Sequence, residues 1–161
     1  TCMTVPDLIV LDELYAATEY AYATNTIDNP DFIKEAAIYL LAGAQDSTVI
    51  PKVVQKLQEY YEFYLGPERA QAQLVTKYDL PAEHTYPTLG YGNACDYNGR
   101  PYISNCGFDA AGTILSHLYS TAYNYTLLAP KNESSKADNL IEIKTSKYLP
   151  PYVPIPAAIA L

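Results

Sequence analysis

Tryptophan is absent from this 161-residue chain, methionine occurs once, and there are only two histidines and three cysteines. Those histidines and cysteines show no ligand spacing of the zinc type, so neither a metal nor another cofactor is expected. Basic residues are scarce: 10 Lys and Arg stand against 18 Asp and Glu, for a formal net charge of −8. That balance disfavours nucleic acid, whose phosphates need clustered Lys and Arg, and equally disfavours anionic membrane surfaces. Long apolar runs are missing too. The longest are broken by Pro or charge, so no membrane-spanning helix is expected. Gly90-Tyr91-Gly92 reads as a turn rather than a phosphate loop, because no strand-to-helix context surrounds it. No charged-then-apolar leader opens the chain, which says nothing about where the protein resides.

What is present is a folding composition. Hydrophobic residues make up 49% and charged residues 17%, which argues against disorder. The length suits a single domain, residues 1–161, with a real core. Tyrosine is abundant, with 17 residues against 3 Phe. Tyrosine suits interfaces and polar polymers, since the ring is apolar and the hydroxyl wet. It also simply fills half-buried positions, and the composition favours that plainer reading.

The cysteine count is odd. Cys95 and Cys106 flank a short loop containing Gly and Pro, so a local disulfide is expected between them. Cys2 is then left over, which in a secreted chain points to a partner outside the chain or a free thiol. Two sequons, at Asn124 and Asn132, lie in a polar stretch and would be surface glycosylation sites in a secreted, extracellular protein.

Along the chain, residues 7–22 read as a helix, with Leu8, Leu11, Leu14, Tyr15 and Thr18 on one stripe. Residues 25–30 form a turn. The apolar run 36–42, closed by Gly43, fits a buried parallel strand. Asp46 follows that strand's C-terminal end, the edge where open α/β sheets build their sites. Ser47 or Thr48 is expected to cap the next helix, which has Pro51 in its first turn and ends at Gly66-Pro67. Its apolar stripe runs through Val53, Leu57, Tyr60 and Tyr64. Residues 73–78 suggest a short strand, residues 79–106 a long loop, residues 108–120 a helix, and residues 140–143 a strand. Residues 148–161 carry four prolines and read as an extended tail or edge segment.

Asp46 and His84 are the candidate chemistry. A carboxylate that accepts the Nδ1–H of an imidazole fixes its tautomer, and it stabilises the imidazolium formed when Nε2 takes a proton from a serine. A strand-end aspartate and a loop histidine one αβ unit later is the order of acid and base in an α/β-hydrolase. Spacing alone leans instead towards a capping aspartate and an unrelated surface histidine. The Gly-x-Ser-x-Gly nucleophile elbow does not occur in these residues. His117 sits mid-helix and reads as a structural histidine, and Ser47 as a better cap than nucleophile.

The run from residue 39 to residue 119 resembles the extracellular poly(3-hydroxybutyrate) depolymerase-like esterases, circularly permuted α/β-hydrolases. The matching blocks are Gly43-Ala44-Gln45-Asp46-Ser47-Thr48-Val49 and His84-Thr85-Tyr86-Pro87-Thr88. The third is Cys95 with Arg100-Pro101-Tyr102-Ile103-Ser104-Asn105-Cys106-Gly107-Phe108-Asp109-Ala110-Ala111-Gly112. This last block is the most specific. Weaker similarity reaches residues 1–3, 140–143 and 152–156.

The resemblance implies that Asp46 is the triad acid and His84 the base, that Cys95 and Cys106 are bonded, and that Cys2 pairs with a cysteine outside these residues. It implies an α/β fold class: a partial α/β-hydrolase-like sheet with flanking helices, incomplete without neighbouring segments or chains. In the family the serine elbow comes before this segment and an oxyanion-side His-Gly-Cys after it, and neither is present. Two readings follow. The chain is part of a secreted serine esterase, supplying acid and base to a serine on another segment or chain. Alternatively it is a non-catalytic, hydrolase-derived extracellular assembly subunit, for which open sheet edges offer a route to self-association as a homo-oligomer.

Overall fold

Two strands, β1 (Ile38–Leu41) and β2 (Leu74–Lys77), run parallel in the computed structural model, with Ile38 opposite Leu74 and Leu41 opposite Lys77. The structure describes residues 3–123. Cys2, both sequons, the strand expected at 140–143 and the tail 148–161 lie outside the described residues.

Parallel strands need a crossover, and here it consists of two helices. Helix α2 (Pro51–Leu65) and helix α3 (Pro67–Gln73) are separated by Gly66, whose φ of +74° is one that glycine adopts without a Cβ penalty. Proline begins both helices, where its missing N–H costs nothing. Helix α2 turns Tyr64 and Leu65 into the core. No side chain caps it: its N-cap is Ile50, so Ser47 and Thr48 do not have the capping role expected of them.

Before the sheet, a 3-10 turn (Pro6–Leu8) precedes helix α1 (Leu11–Ala23), and a second 3-10 segment (Pro30–Glu35) leads into β1. The first helix starts later than its pattern suggests. The 3-10 turn closes at Ile9, and extended backbone at Ile9 and Val10 separates it from α1. Asn25, at φ +55°, makes the expected turn. Helix α1 lies on α2 through aromatic packing, Tyr15 stacking on Phe63 at 3.9 Å and on Tyr60 at 5.6 Å. Thr18 and Tyr60 share a 2.6 Å hydrogen bond across the same contact.

The long loop expected at 79–106 contains a small parallel sheet. Strand β5 (Ile103–Asn105) runs between β3 (Tyr86–Thr88) and β4 (Asn93–Ala94). A disulfide between Cys95 and Cys106 staples it, with Cα atoms 4.8 Å apart. Pro87 and Ser104 face each other across β3 and β5, both fully buried. Helix α4 (Ala110–Tyr123) packs on β1 and β3. His117 in α4 donates from Nε2 to the carbonyl of Gln73 at 2.9 Å, tying this helix to the end of α3.

The buried apolar residues among those described are Leu40, Ala42, Tyr64, Leu65, Leu80, Ala82 and Ala110. Leu40 and Ala42 lie at the C-terminal end of β1, Leu80 and Ala82 in the segment after β2, Tyr64 and Leu65 at the end of α2, and Ala110 at the start of α4. Large apolar side chains stand exposed elsewhere, Leu8 and Phe32 among them at 68% and 65%. An apolar groove of about 1070 Å³ runs between α1, the second 3-10 segment and α2. Among the described residues, β1 and β2 each have one strand neighbour, so each leaves an edge without a strand. No described helix is long and apolar enough to cross a membrane.

Candidate active site

The chain leaving β1 continues alongside the chain leaving β2. Ala42 N–H donates to Lys77 O at 3.0 Å, Ala44 N–H to Leu80 O at 2.7 Å, and Gln45 N–H to Ala82 O at 3.1 Å. Gly43 makes this approach feasible, since a Cβ there would lie 2.1 Å from the Ala82 carbonyl oxygen. The lacing carries residues 42–46 directly onto residues 80–84, so the two loops arrive at one sheet edge together.

At that edge, His84 Nδ1 lies 3.0 Å from Asp46 Oδ2. The other carboxylate oxygen, Oδ1, accepts the backbone N–H groups of Thr48 at 2.9 Å and Val49 at 2.7 Å. Asp46 therefore holds its own turn and the imidazole at the same time. The capping role that spacing favours for Asp46 is not seen, since no side chain caps α2; the aspartate holds the turn before that helix while it pairs with His84. With Oδ2 as acceptor, the neutral ring carries its proton on Nδ1 and leaves Nε2 as the acceptor. The Asp46 side chain is 9% exposed and that of His84 44% exposed. The carboxylate is thus shielded, while the ring reaches an open cleft of about 530 Å³.

The cleft is lined by Leu41, Gly43, Thr48, Tyr86, Asn98 and Tyr102 beside the Asp46–His84 pair. Tyr102 has φ +62°, an uncommon conformation for a bulky residue, and it donates its N–H to Gly99 O while its carbonyl accepts from Tyr86 N–H. Asn98 reaches from the disulfide loop to Thr48 Oγ1 at 3.0 Å. The small sheet thereby forms one wall of the cleft, with its residues fixed against both the acid loop and the base loop.

Glu83 was not singled out by the sequence. Its Oε2 accepts the Ser47 N–H, the Ser47 hydroxyl and the His84 N–H at 3.0, 3.0 and 3.1 Å. Those donors, the Ser47 N–H foremost, hold its carboxyl below the ordinary glutamate range. Ser47 Oγ is thus committed to a carboxylate rather than to His84. Among the described residues, no group of three or more His, Cys, Asp and Glu is placed to hold a metal ion. The arrangement can relay a proton at His84 Nε2, with the imidazolium stabilised by Asp46.

No protein-family model matches the chain. Curated relatives do. The chain is 36% identical over 148 residues to a poly(3-hydroxybutyrate) depolymerase of Delftia acidovorans, covering 92% of this chain and 28% of that protein. It is 32% identical over 104 residues to a polyhydroxybutyrate depolymerase of Talaromyces funiculosus, covering 63% of this chain and 30% of the relative. Among solved structures, a serine-to-alanine PHB depolymerase complexed with an R3HB trimer matches with a TM-score of 0.57 and 30% identity. That match covers 64% of this chain and 32% of the solved one. The chain thus spans about a third or less of the length of the proteins it matches. It is related to the poly(3-hydroxybutyrate) depolymerases over that segment, and carries part of their α/β-hydrolase-type fold.

Proposed function

We propose that this chain supplies the acid and the base of a serine ester hydrolase, with Asp46 as acid, His84 as base, and the nucleophilic serine on a segment or chain outside these 161 residues. The observation that carries the proposal is the 3.0 Å contact between Asp46 Oδ2 and His84 Nδ1, with the ring opening onto a cleft. In this reading His84 Nε2 takes the serine proton as serine Oγ attacks the ester carbonyl. The tetrahedral intermediate collapses and expels the alcohol, which leaves with the proton from His84. Water then attacks the acyl-serine, His84 taking its proton and returning it to the serine as the acid departs. The substrate class is an ester of hydroxyacids, by analogy with the R3HB trimer bound in the related solved structure.

The apolar groove between α1 and α2, and the sheet edges that have no strand neighbour among the described residues, support a neighbouring polypeptide that completes the fold. The serine-bearing segment is the occupant that fits the reading. We further propose that the protein is secreted, as the Cys95–Cys106 disulfide favours an oxidising compartment. Cys2 would then be available for a bond to that segment, and Asn124 and Asn132 for glycans. The competing reading, a non-catalytic assembly subunit, draws on the lack of a Gly-x-Ser-x-Gly elbow in the sequence.

The two readings separate on one experiment. His84→Ala is introduced into the native assembly and hydrolysis of a hydroxybutyrate oligomer is measured. A loss of several orders of magnitude supports the esterase reading. Unchanged hydrolysis removes His84 from the chemistry and favours the assembly subunit.

A further inference from the structure

Beyond the backbone lacing of residues 42–45 onto residues 77–82, side chains join the acid loop to the base loop through the Asp46–His84 contact and through Glu83. A single oxygen, Oε2, gathers the backbone N–H and hydroxyl of Ser47, the residue after Asp46, together with the backbone N–H of His84 itself. On its other side Glu83 donates its own N–H to Cys95 O at 3.0 Å, and Cys95 is bonded to Cys106. The disulfide-stapled sheet therefore holds Glu83, and Glu83 holds both loops.

We propose that Glu83 is a positioning residue that sets the register between Asp46 and His84, through a carboxylate that bridges the backbone of the two loops. This inference rests on the Asp46–His84 proton-relay reading.

Three properties support a positioning role over an ordinary turn contact. The acceptor is shared, so the three donors cannot drift apart without losing it. Two of those donors belong to the residue next to the acid and the third to the base. A charged acceptor also makes each of these bonds stronger than a neutral carbonyl would. Asn98, from the disulfide loop, donates to the same acid loop, to Thr48 Oγ1 and, at 3.4 Å, to Ser47 Oγ. The acid loop thus has little freedom left once Glu83 is in place.

The test uses this chain labelled with 15N-histidine in its native assembly. It has two histidines, so a single His117 variant assigns the spectrum. The readout is the His84 Nδ1–H proton resonance and its exchange rate with water, alongside the kcat and KM of ester hydrolysis. Glu83→Ala should speed that exchange by about tenfold or more and lower kcat, with KM within about twofold. Glu83→Gln keeps an oxygen acceptor at the same reach and should restore most of the loss. If Glu83→Ala does not fold, Ser47→Ala, which removes one of the three donors, should give a smaller change in the same direction. A His84 signal and kcat unchanged in Glu83→Ala, or in Ser47→Ala where that variant stands in, would overturn the positioning role. Asp46→Asn serves as the control for the underlying reading: if it leaves the Nδ1–H signal intact, the relay itself is wrong, whatever Glu83 does.

Discussion

Gly43 lies against Ala82 so closely that no other residue fits there without moving backbone, a Cβ falling 2.1 Å from the Ala82 carbonyl oxygen. That contact is the junction at which the acid loop is laid on the base loop. Gly43→Ala should therefore act on both stability and geometry. Overpacking against backbone costs about 1–3 kcal/mol, read as a lower urea midpoint. The Asp46–His84 contact should lengthen with it, weakening the His84 Nδ1–H resonance. A variant as stable as the parent, with that resonance intact, would show that the approach is looser than described.

Asp46→Asn separates the two tasks of the aspartate. The asparagine carbonyl can still accept from Thr48 and Val49, so the turn should survive and stability change little. Its amide would face His84 Nδ1 with a donor, which favours the wrong imidazole tautomer. In serine proteases the equivalent change lowers kcat about 10⁴-fold, and a drop of that order is expected here for ester hydrolysis by the assembly.

Reducing the Cys95–Cys106 bond, or replacing both residues with Ala, should destabilise the small sheet. Loop-closure entropy for a separation of 11 residues gives about 3 kcal/mol. Because Cys95 O receives the Glu83 N–H, the loss should also reach His84, lowering activity at temperatures where the rest of the chain stays folded. Thermal melts with and without reductant, paired with activity, measure both effects.

Tyr78 gives an alkaline signature. Burial foremost, then the Glu62 carboxylate, pushes its hydroxyl up to about 12 from the ordinary 10.0, while the hydroxyl donates to Gln58 Oε1 at 3.1 Å. Between those values the unfolded chain holds fewer protons than the folded one. Stability should thus fall as pH rises through that window and be unaffected below it. Tyr78→Phe should flatten that slope in urea midpoints taken from about pH 9 to about pH 12. An unchanged slope would mean that Tyr78 ionises freely in the native state.

Long, periodic segments were legible in the sequence. The apolar run 36–42 contains β1, the stripe through Val53, Leu57 and Tyr64 is α2, and residues 73–78 contain β2. Helix α3 was not, because Pro67 follows a helix-ending Gly66 and reads as a stop, whereas here it opens a new helix. The strands of the disulfide loop are two or three residues long and contain Pro87 and Asn93, too short for any period to show. Asp46 and His84 could be named from their order and from a family likeness. Their pairing as acid and base follows from the same likeness, but the backbone lacing at Gly43 that brings them together leaves no side-chain pattern. Glu83 carried no signal beyond standing next to His84, since an acidic residue in a polar loop is ordinary until its partners are seen.

The role proposed for Asp46 and His84 is to serve a serine outside these 161 residues. A fluorophosphonate, which forms a covalent adduct only with an activated serine, tests this most directly when the native material is labelled and the adduct mapped by mass spectrometry. One adduct is expected on a serine beyond this sequence, with labelling nearly abolished in His84→Ala. An adduct on a serine within the chain, or labelling that ignores His84, would contradict it.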